Sequence, residues 1–340
     1  MSDAQTKPAD EKPKSGSAEE EPIRPIAHLK GERPPAPEWF ARALAEEPED
    51  GFVDVSGTPV HYLAWGERGK PGMLFVHGGR AHARWWTPFA PFFSKDHRVA
   101  AIDLGGLGDS GRRERYSMSL LAEEVFAVAE AAGLYEAGRP VVIGHSFGGY
   151  VTLACVEQAG ERLKGAVVLD SPIRVPDPDE GYRVSGPPKK EGEAPKPIRP
   201  NRVYPTIEEP IARFRFLPNQ PCEHPYLVDH IARTGLARAT GEDGSEGWAW
   251  KFDPAMGANF DIHFEKDLLH AARCPLAFVY GEKSMFCSEE WLDHIRHMTG
   301  GRSPIIILPD AHHHLMMDQP IGFISALKAL FSTWPVRLGF

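Results

Sequence analysis

Pro140-Val141-Val142-Ile143-Gly144-His145-Ser146-Phe147-Gly148-Gly149 is a β-branched apolar run that stops at a glycine and enters a Gly-x-Ser-x-Gly element. Tyr150 to Val156 continue it as a largely apolar helical segment. Strand, sharp turn and helix in that order make a nucleophile elbow, with a serine exposed at the turn. Glycines on either side remove side chains that would clash where the serine adopts a strained backbone. The five-residue pattern by itself is weak, with about 0.1 chance matches expected in a chain this size. Its place between a strand pattern and a helix pattern makes Ser146 the candidate nucleophile.

Working outward, apolar runs recur and end at polar residues. Phe52–Val55 and Val60–Trp65 flank Ser56-Gly57-Thr58-Pro59 as a hairpin. Met73–Val76 runs into His77-Gly78-Gly79, and Arg98–Ile102 into Asp103-Leu104-Gly105-Gly106-Leu107-Gly108-Asp109-Ser110-Gly111. Trp85–Phe93 and Ser119–Ala132 have helical spacing, and Ala166–Leu169 is a further strand ending in Asp170. Leu276–Tyr280, Glu289–Met298, Ile305–Leu308 and Phe323–Phe331 then read as strand, helix, strand and helix. Buried strands alternating with helices predict a parallel sheet covered on both faces, whose ligands lie at the carboxyl ends of the strands. His77, Asp103, Ser146 and Asp170 all fall there.

The alternation breaks between Ser171 and about Ile262, too long a span for a simple connection. Residues 176–205 are dense in Pro, Lys, Glu and Gly and read as a long mobile loop. Residues 206–240 return to helical spacing, and Trp248, Trp250 and Phe252 form an aromatic patch in a Gly-rich turn region. The predicted organisation is a disordered tail over 1–35, a first core part over 36–170, a helical cap or lid insertion over 171–262, and a second core part over 263–340.

Composition narrows the function. The net charge of −9 argues against a nucleic-acid footprint, and no run reaches membrane-spanning length. The N-terminus lacks the apolar segment of a signal peptide, so a cytoplasmic location is expected. Cys155, Cys222, Cys274 and Cys287 have no paired spacing, which suggests neither disulfides nor zinc. His312, His313 and His314 are adjacent, and consecutive side chains diverge, so a shared metal ion is disfavoured. Asp103 and Asp109 read as turn residues satisfying backbone N–H groups. Arg213 and Arg215 read either as solvated arginines or as partners for a substrate carboxylate.

The ordered set of His-Gly-Gly, Asp-Leu-Gly-Gly-Leu-Gly-Asp-Ser, Gly-His-Ser-Phe-Gly-Gly and a late histidine loop resembles the α/β-hydrolases from about Val53 to Phe331. The resemblance implies an eight-stranded, mostly parallel sheet flanked by helices, with a cap inserted after the sixth strand. It assigns Ser146 as nucleophile and the backbone N–H groups of Gly79 and Phe147 as the oxyanion hole. Asp318-Gln319-Pro320 selects His313 as the base, since the family's imidazole commonly stands five residues before such an acidic residue. The acid departs from the commonest pattern. Members usually carry aspartate three residues after the glycine closing the seventh strand, where this chain has Ser284. Relatives such as haloalkane dehalogenases supply it from the end of the sixth strand. Asp170 is therefore favoured, with Glu282 as the alternative acid.

The resemblance thus implies a serine hydrolase of the carboxylesterase type acting on small-molecule esters, with no metal or organic cofactor and no nucleic-acid or membrane partner. Serine at the elbow argues against the dehalogenase and epoxide-hydrolase branches, which use aspartate. A carbon–carbon bond hydrolase, a lactonase or a cofactor-free perhydrolase would share the same residues. A non-catalytic ligand receptor on this fold is the alternative from another class.

Overall fold

The computed structural model describes residues 21–173, 198–257, 260–261, 269 and 272–334. Eight strands form the main sheet: β1 (Glu49–Val55), β2 (Thr58–Trp65), β3 (Gly72–Val76), β4 (Arg98–Ile102), β5 (Val141–His145), β6 (Gly165–Leu169), β7 (Leu276–Gly281) and β8 (Ile305–Leu308). Their order is β1-β2-β4-β3-β5-β6-β7-β8. The pairs β1–β2 and β2–β4 are antiparallel, and every later neighbour pair is parallel. The chain leaves β3 for β4 on one side and returns to β5 on the other. A crevice opens where connections diverge in this way, and both His77-Gly78-Gly79 and Ser146 stand at it.

Strands β3 to β7 are buried along their length because helices cover both faces of the sheet. The two-residue pleat sorts their side chains between two cores. Leu74 and Val76 pack on the face covered by the helices Met118–Ala131, Phe147–Ala159 and Glu289–Met298. Met73 and Phe75 pack on the opposite face, where Phe75 stacks on Trp86 at 4.8 Å and the helix Pro320–Thr333 closes the layer. The predicted helix at Trp85–Phe93 is instead a 3-10 turn, Ala83–Trp85, followed by a single helical turn, Pro91–Ser94. Pro88 and Pro91 deny the backbone donors a longer helix needs.

The elbow holds a strained residue at its apex. Ser146 has φ 53° and ψ −117°, a conformation side-chain-bearing residues avoid. Neighbours hold it there: its N–H donates to the Leu169 carbonyl at 2.9 Å, and its carbonyl accepts from Gly149 N–H at 2.9 Å and the Ser171 hydroxyl at 2.8 Å. Gly144 is glycine because a Cβ would run into the Gly148 carbonyl oxygen and the Thr152 hydroxyl. Both obstacles belong to the helix that presents Ser146. Gly144→Ala should therefore lower the stability of the fold by about 1–3 kcal/mol, read from a chemical denaturation midpoint. An unchanged midpoint would show that the elbow yields.

Two expectations are corrected. The predicted tail over 1–35 is ordered from residue 21 onward, and residues 1–20 lie outside the described residues. Ile26 is fully buried, Ala27–Leu29 form a 3-10 turn, and the Gly31 carbonyl accepts from Arg233. The Ile23 N–H also donates to Asn219 Oδ1 at 2.8 Å, so an apolar anchor and contacts with distant side chains dock this short segment. The insertion between β6 and β7 is also not purely helical. Its helices Glu208–Ala212 and Pro225–Thr234 are followed by an antiparallel hairpin, Leu236–Thr240 with Glu246–Trp250. The alternation in Leu236-Ala-Arg-Ala-Thr240 and the glycines Gly241 and Gly244 carried that hairpin signal. The loop expected over 176–205 falls largely outside the described residues. Tyr204 within it bridges to Trp248.

Candidate active site

Ser146, His313 and Asp170 come from three separate strand ends and meet in one hydrogen-bonded row. His313 Nε2 lies 2.9 Å from Ser146 Oγ, and His313 Nδ1 lies 2.7 Å from Asp170 Oδ2. An ionised carboxylate can only accept, so Nδ1 carries the proton and Nε2 presents its lone pair to the serine hydroxyl. His313 and Asp170 are buried, whereas Ser146 is partly open to solvent. Burial disfavours the imidazolium and holds His313 down to about 3, keeping it a neutral acceptor. Such a row can take the proton of a hydroxyl as that oxygen attacks an electrophile.

Asp170 occupies the position just past β6, with φ 46°, a left-handed conformation that aspartate tolerates better than most residues. Its N–H is tied to the Val279 carbonyl at 2.8 Å, which aims the side chain across to β7. Burial raises its carboxyl to about 7, while hydrogen bonds from the Ser284 hydroxyl, at 2.5 Å, and the Gly281 N–H, at 3.0 Å, pull the other way. Ser284 thus fills the place where the resemblance expected an aspartate, and its hydroxyl binds the carboxylate supplied from β6. Its role was not foreseen. The departure from the family pattern at that position was the available signal. Glu282 points elsewhere: it is exposed, and it accepts from the Asp310 N–H at 2.9 Å.

The three histidines diverge as consecutive side chains must. His312 Nδ1 is 3.0 Å from Asp318 Oδ2, and His314 Nδ1 is 2.8 Å from Gln220 Oε1, with its ring 4.6 Å from that of Phe216. Only His313 faces Ser146. His145 packs beside His313, ring centroids 4.8 Å apart, and its Nε2 lies 3.0 Å from the His313 carbonyl oxygen. Burial pushes His145 down to about 3, so its neutral ring can donate that bond and pin the histidine loop against β5.

Gly78 and Gly79 line the other side of the serine. A Cβ built on Gly78 would stand 3.4 Å from Ser146 Cβ, and one on Gly79 would stand 3.7 Å from Phe147 Cβ. Phe147 is the first residue of the helix Phe147–Ala159, whose leading N–H groups have no partner within the helix and carry its positive dipole end. The backbone here can accept a developing negative charge. His77 braces the loop: its Nε2 accepts from the Leu104 N–H at 3.1 Å, and its Nδ1 lies 2.7 Å from the Gly78 carbonyl oxygen. Ser146, Gly79 and Phe147 open onto a cavity of about 470 Å³, walled by Leu107, Tyr150, Pro172, Phe252, Met256 and Phe260 among others.

The ligand atoms of His61, Asp103 and Asp109 lie close enough together to be considered as a metal site. Hydrogen bonds already account for them. Asp103 accepts from the N–H groups of Ala83 and Asp109, and one of its oxygens is 2.7 Å from His61 Nδ1. The Asp109 carboxylate pairs with Lys251 at 2.7 Å. This cluster ties the β4 turn to the neighbouring loops.

The sequence from 73 to 326 matches the model of the alpha/beta hydrolase family. Epoxide hydrolase 4 of Homo sapiens is 25% identical over 278 residues, covering 79% of this chain and 74% of that protein. Among solved structures, the thioesterase domain from the curacin biosynthetic pathway shares 18% identity, 83% of this chain and 99% of that one, with a TM-score of 0.65. A thermophilic esterase from Thermogutta terrifontis shares 21% identity, 84% and 98% of the two chains, with a TM-score of 0.57. The two structures speak to the fold alone. No helix among the described residues is long and apolar enough to cross a membrane. With the family match spanning all the strands from β3 to β8 and every residue of the row at Ser146, the chain belongs to the alpha/beta hydrolase family.

Proposed function

We propose that the protein is a serine hydrolase that cleaves carboxylic esters of small molecules through an acyl-enzyme on Ser146. The observation that carries this reading is the row Ser146 Oγ–His313 Nε2–His313 Nδ1–Asp170 Oδ2, at 2.9 and 2.7 Å, opening onto the cavity of about 470 Å³. Ser146 Oγ bonds to the ester carbonyl carbon as its proton passes to His313 Nε2. The N–H groups of Phe147 and Gly79 hold the oxyanion, each donor being worth about 3–4 kcal/mol when so aimed. Collapse breaks the carbon–oxygen bond to the alcohol, which leaves with the proton from His313. Water, deprotonated by the same imidazole, then releases the carboxylic acid and restores Ser146. Asp170 orients the ring and stabilises the transient imidazolium. In this reading the insertion between β6 and β7 acts as a cap, contributing Phe252, Pro254 and Met256 to the cavity wall.

The likeness to epoxide hydrolases raises the question of epoxide opening. A serine oxygen that opened an epoxide would be left as an ether, with no carbonyl for water to attack, and turnover would stop. An acyl group on the same oxygen is an ester that water can cleave. The nucleophile's chemistry therefore favours acyl substrates.

A fluorophosphonate probe should label the wild-type protein on the peptide bearing Ser146, and Ser146→Ala should abolish the label. Folded wild-type protein that stays unlabelled would sink the reading. A panel of p-nitrophenyl esters of graded acyl length, run beside lactones and β-diketones, separates an esterase from a lactonase or a carbon–carbon bond hydrolase, and peroxide-dependent peracid formation identifies a perhydrolase. Ligand-induced stabilisation without turnover of any of them would indicate a receptor.

A further inference from the structure

A second cavity, of about 230 Å³, adjoins the one that opens at Ser146, and Arg80 and Phe252 line both. Four cationic side chains surround it, Arg80, Arg213, Arg215 and Lys251, and no aspartate or glutamate is among its described lining residues. Two of the four already have counterions. Arg213 pairs with Glu209 at 3.4 Å and Lys251 with Asp109 at 2.7 Å. Arg80 and Arg215 have no carboxylate partner among the described residues. His82, also in the wall, is buried, and burial holds it down to about 3, so it adds no charge at neutral pH.

Arg80 is unusual in a second respect. It follows Gly79 directly and has φ 58°, where glycine would be unstrained. Strain kept by a residue with a long charged side chain, beside a reacting centre, points to use of that side chain. Its guanidinium stands 5.4 Å from the centroid of the Phe252 ring, which steadies the flexible side chain on the wall between the two cavities. Consecutive Cα atoms are about 3.8 Å apart, so a group bound by Arg80 lies within one side chain's reach of the oxyanion donor at Gly79.

We propose that Arg80 and Arg215 bind a carboxylate of the substrate in this second cavity, so that the compound cleaved at Ser146 carries a free carboxylate a few bonds from its scissile carbonyl. This rests on the acyl-transfer reading of Ser146. Guanidinium forks match the planar carboxylate with paired, charge-assisted hydrogen bonds. Both side chains are exposed, so a neutral chain in the same space would leave the guanidiniums paired with water alone and gain nothing from their charge. Substrate preference then follows from electrostatics in the smaller cavity, and the larger one accommodates the remainder of the molecule.

Matched ester pairs test this. On the acyl side, p-nitrophenyl hydrogen glutarate is compared with p-nitrophenyl pentanoate; on the alcohol side, O-acetyl-4-hydroxybutanoate is compared with butyl acetate. The wild type should prefer the carboxylate in at least one pair by tenfold or more in kcat/KM. That ratio, taken within each protein so that any general loss cancels, should fall about tenfold in Arg80→Gln/Arg215→Gln, with a smaller fall in Arg80→Lys/Arg215→Lys. Equal ratios in wild type and variant for both pairs would overturn the proposal. A binding arm separates this outcome from failure of the hydrolase reading. Ser146→Ala, titrated calorimetrically with monomethyl glutarate and with dimethyl glutarate, should bind the monoanion more tightly, and the double arginine change introduced into Ser146→Ala should erase the difference. Equal binding of the two compounds by Ser146→Ala refutes the carboxylate site whether or not Ser146 labels with the fluorophosphonate. Absence of labelling with the binding difference intact refutes only the acyl-transfer reading.

Discussion

Ser146→Ala and His313→Ala should each lower kcat for an activated ester by about 10⁶, and the double variant should fall scarcely further. The two side chains act as one unit, because the serine hydroxyl is a poor nucleophile until the imidazole 2.9 Å away takes its proton. Removing either member leaves the other with nothing to do. A residual acceleration of about 10³ over water should persist, supplied by the N–H groups at Phe147 and Gly79 and by binding in the cavity. His312→Ala and His314→Ala act as controls of a different kind. They lose contacts to Asp318 and Gln220 and should cost stability before they cost chemistry. If His313→Ala retained more than about one part in a hundred of kcat, the base would have to be sought elsewhere.

Asp170→Asn should lower kcat by about 10⁴, while Glu282→Gln should leave it within twofold. Asparagine keeps the shape but can present an N–H toward His313 Nδ1, which favours the wrong tautomer and leaves the imidazolium unsupported. Glu282 is exposed and its carboxylate is turned to the Asp310 N–H, so the amide of the variant has no route to the imidazole. The reverse pattern would overturn the assignment. Ser284→Ala gives a graded version of the same test. The Ser284 hydroxyl favours the ionised form of Asp170, whose carboxyl burial has raised to about 7. The site is competent when Asp170 is ionised and His313 neutral. Activity should therefore be present above about pH 7 and be lost as the pH falls and the pair takes up its first proton. Without the hydroxyl, Asp170 holds its proton more tightly. The acid limb of kcat/KM should then move to higher pH, and kcat at neutral pH should drop about tenfold. A merely structural serine would lower the melting temperature and leave the limb in place.

Much of the fold was legible because buried parallel strands advertise themselves. Val141–Ile143, Arg98–Ile102 and Leu276–Tyr280 are apolar runs bounded by glycine or charge, and each is a strand of the sheet. Segments whose structure depends on distant partners were harder. Residues 21–35 have the composition of a tail, yet Ile26 finds a buried seat and Arg233 lies 202 positions away from the carbonyl it binds. The hairpin at Leu236–Trp250 was hidden by the helical spacing of the residues just before it, where Leu227 and Ile231 do share a helix face.

The sequence by itself determined Ser146 and its setting. The elbow is a local device in which glycine sterics, a strand run and a helix run all lie within about twenty consecutive residues. Through the family resemblance it also pointed to His313 as the base and narrowed the acid to two strand ends. Only the tertiary structure shows which of Asp170 and Glu282 meets the imidazole of His313, because both follow parallel strands, one beside β5 and one a place beyond it. At φ 46° Asp170 swings into the sheet's end and meets His313, whereas Glu282 turns outward to Asp310. The Ser284 hydroxyl on that same carboxylate, and Arg80 on the wall between two cavities, were likewise set by packing between elements far apart in the chain. Local rules place a residue at a strand end; where its side chain points depends on what the neighbouring strand leaves open.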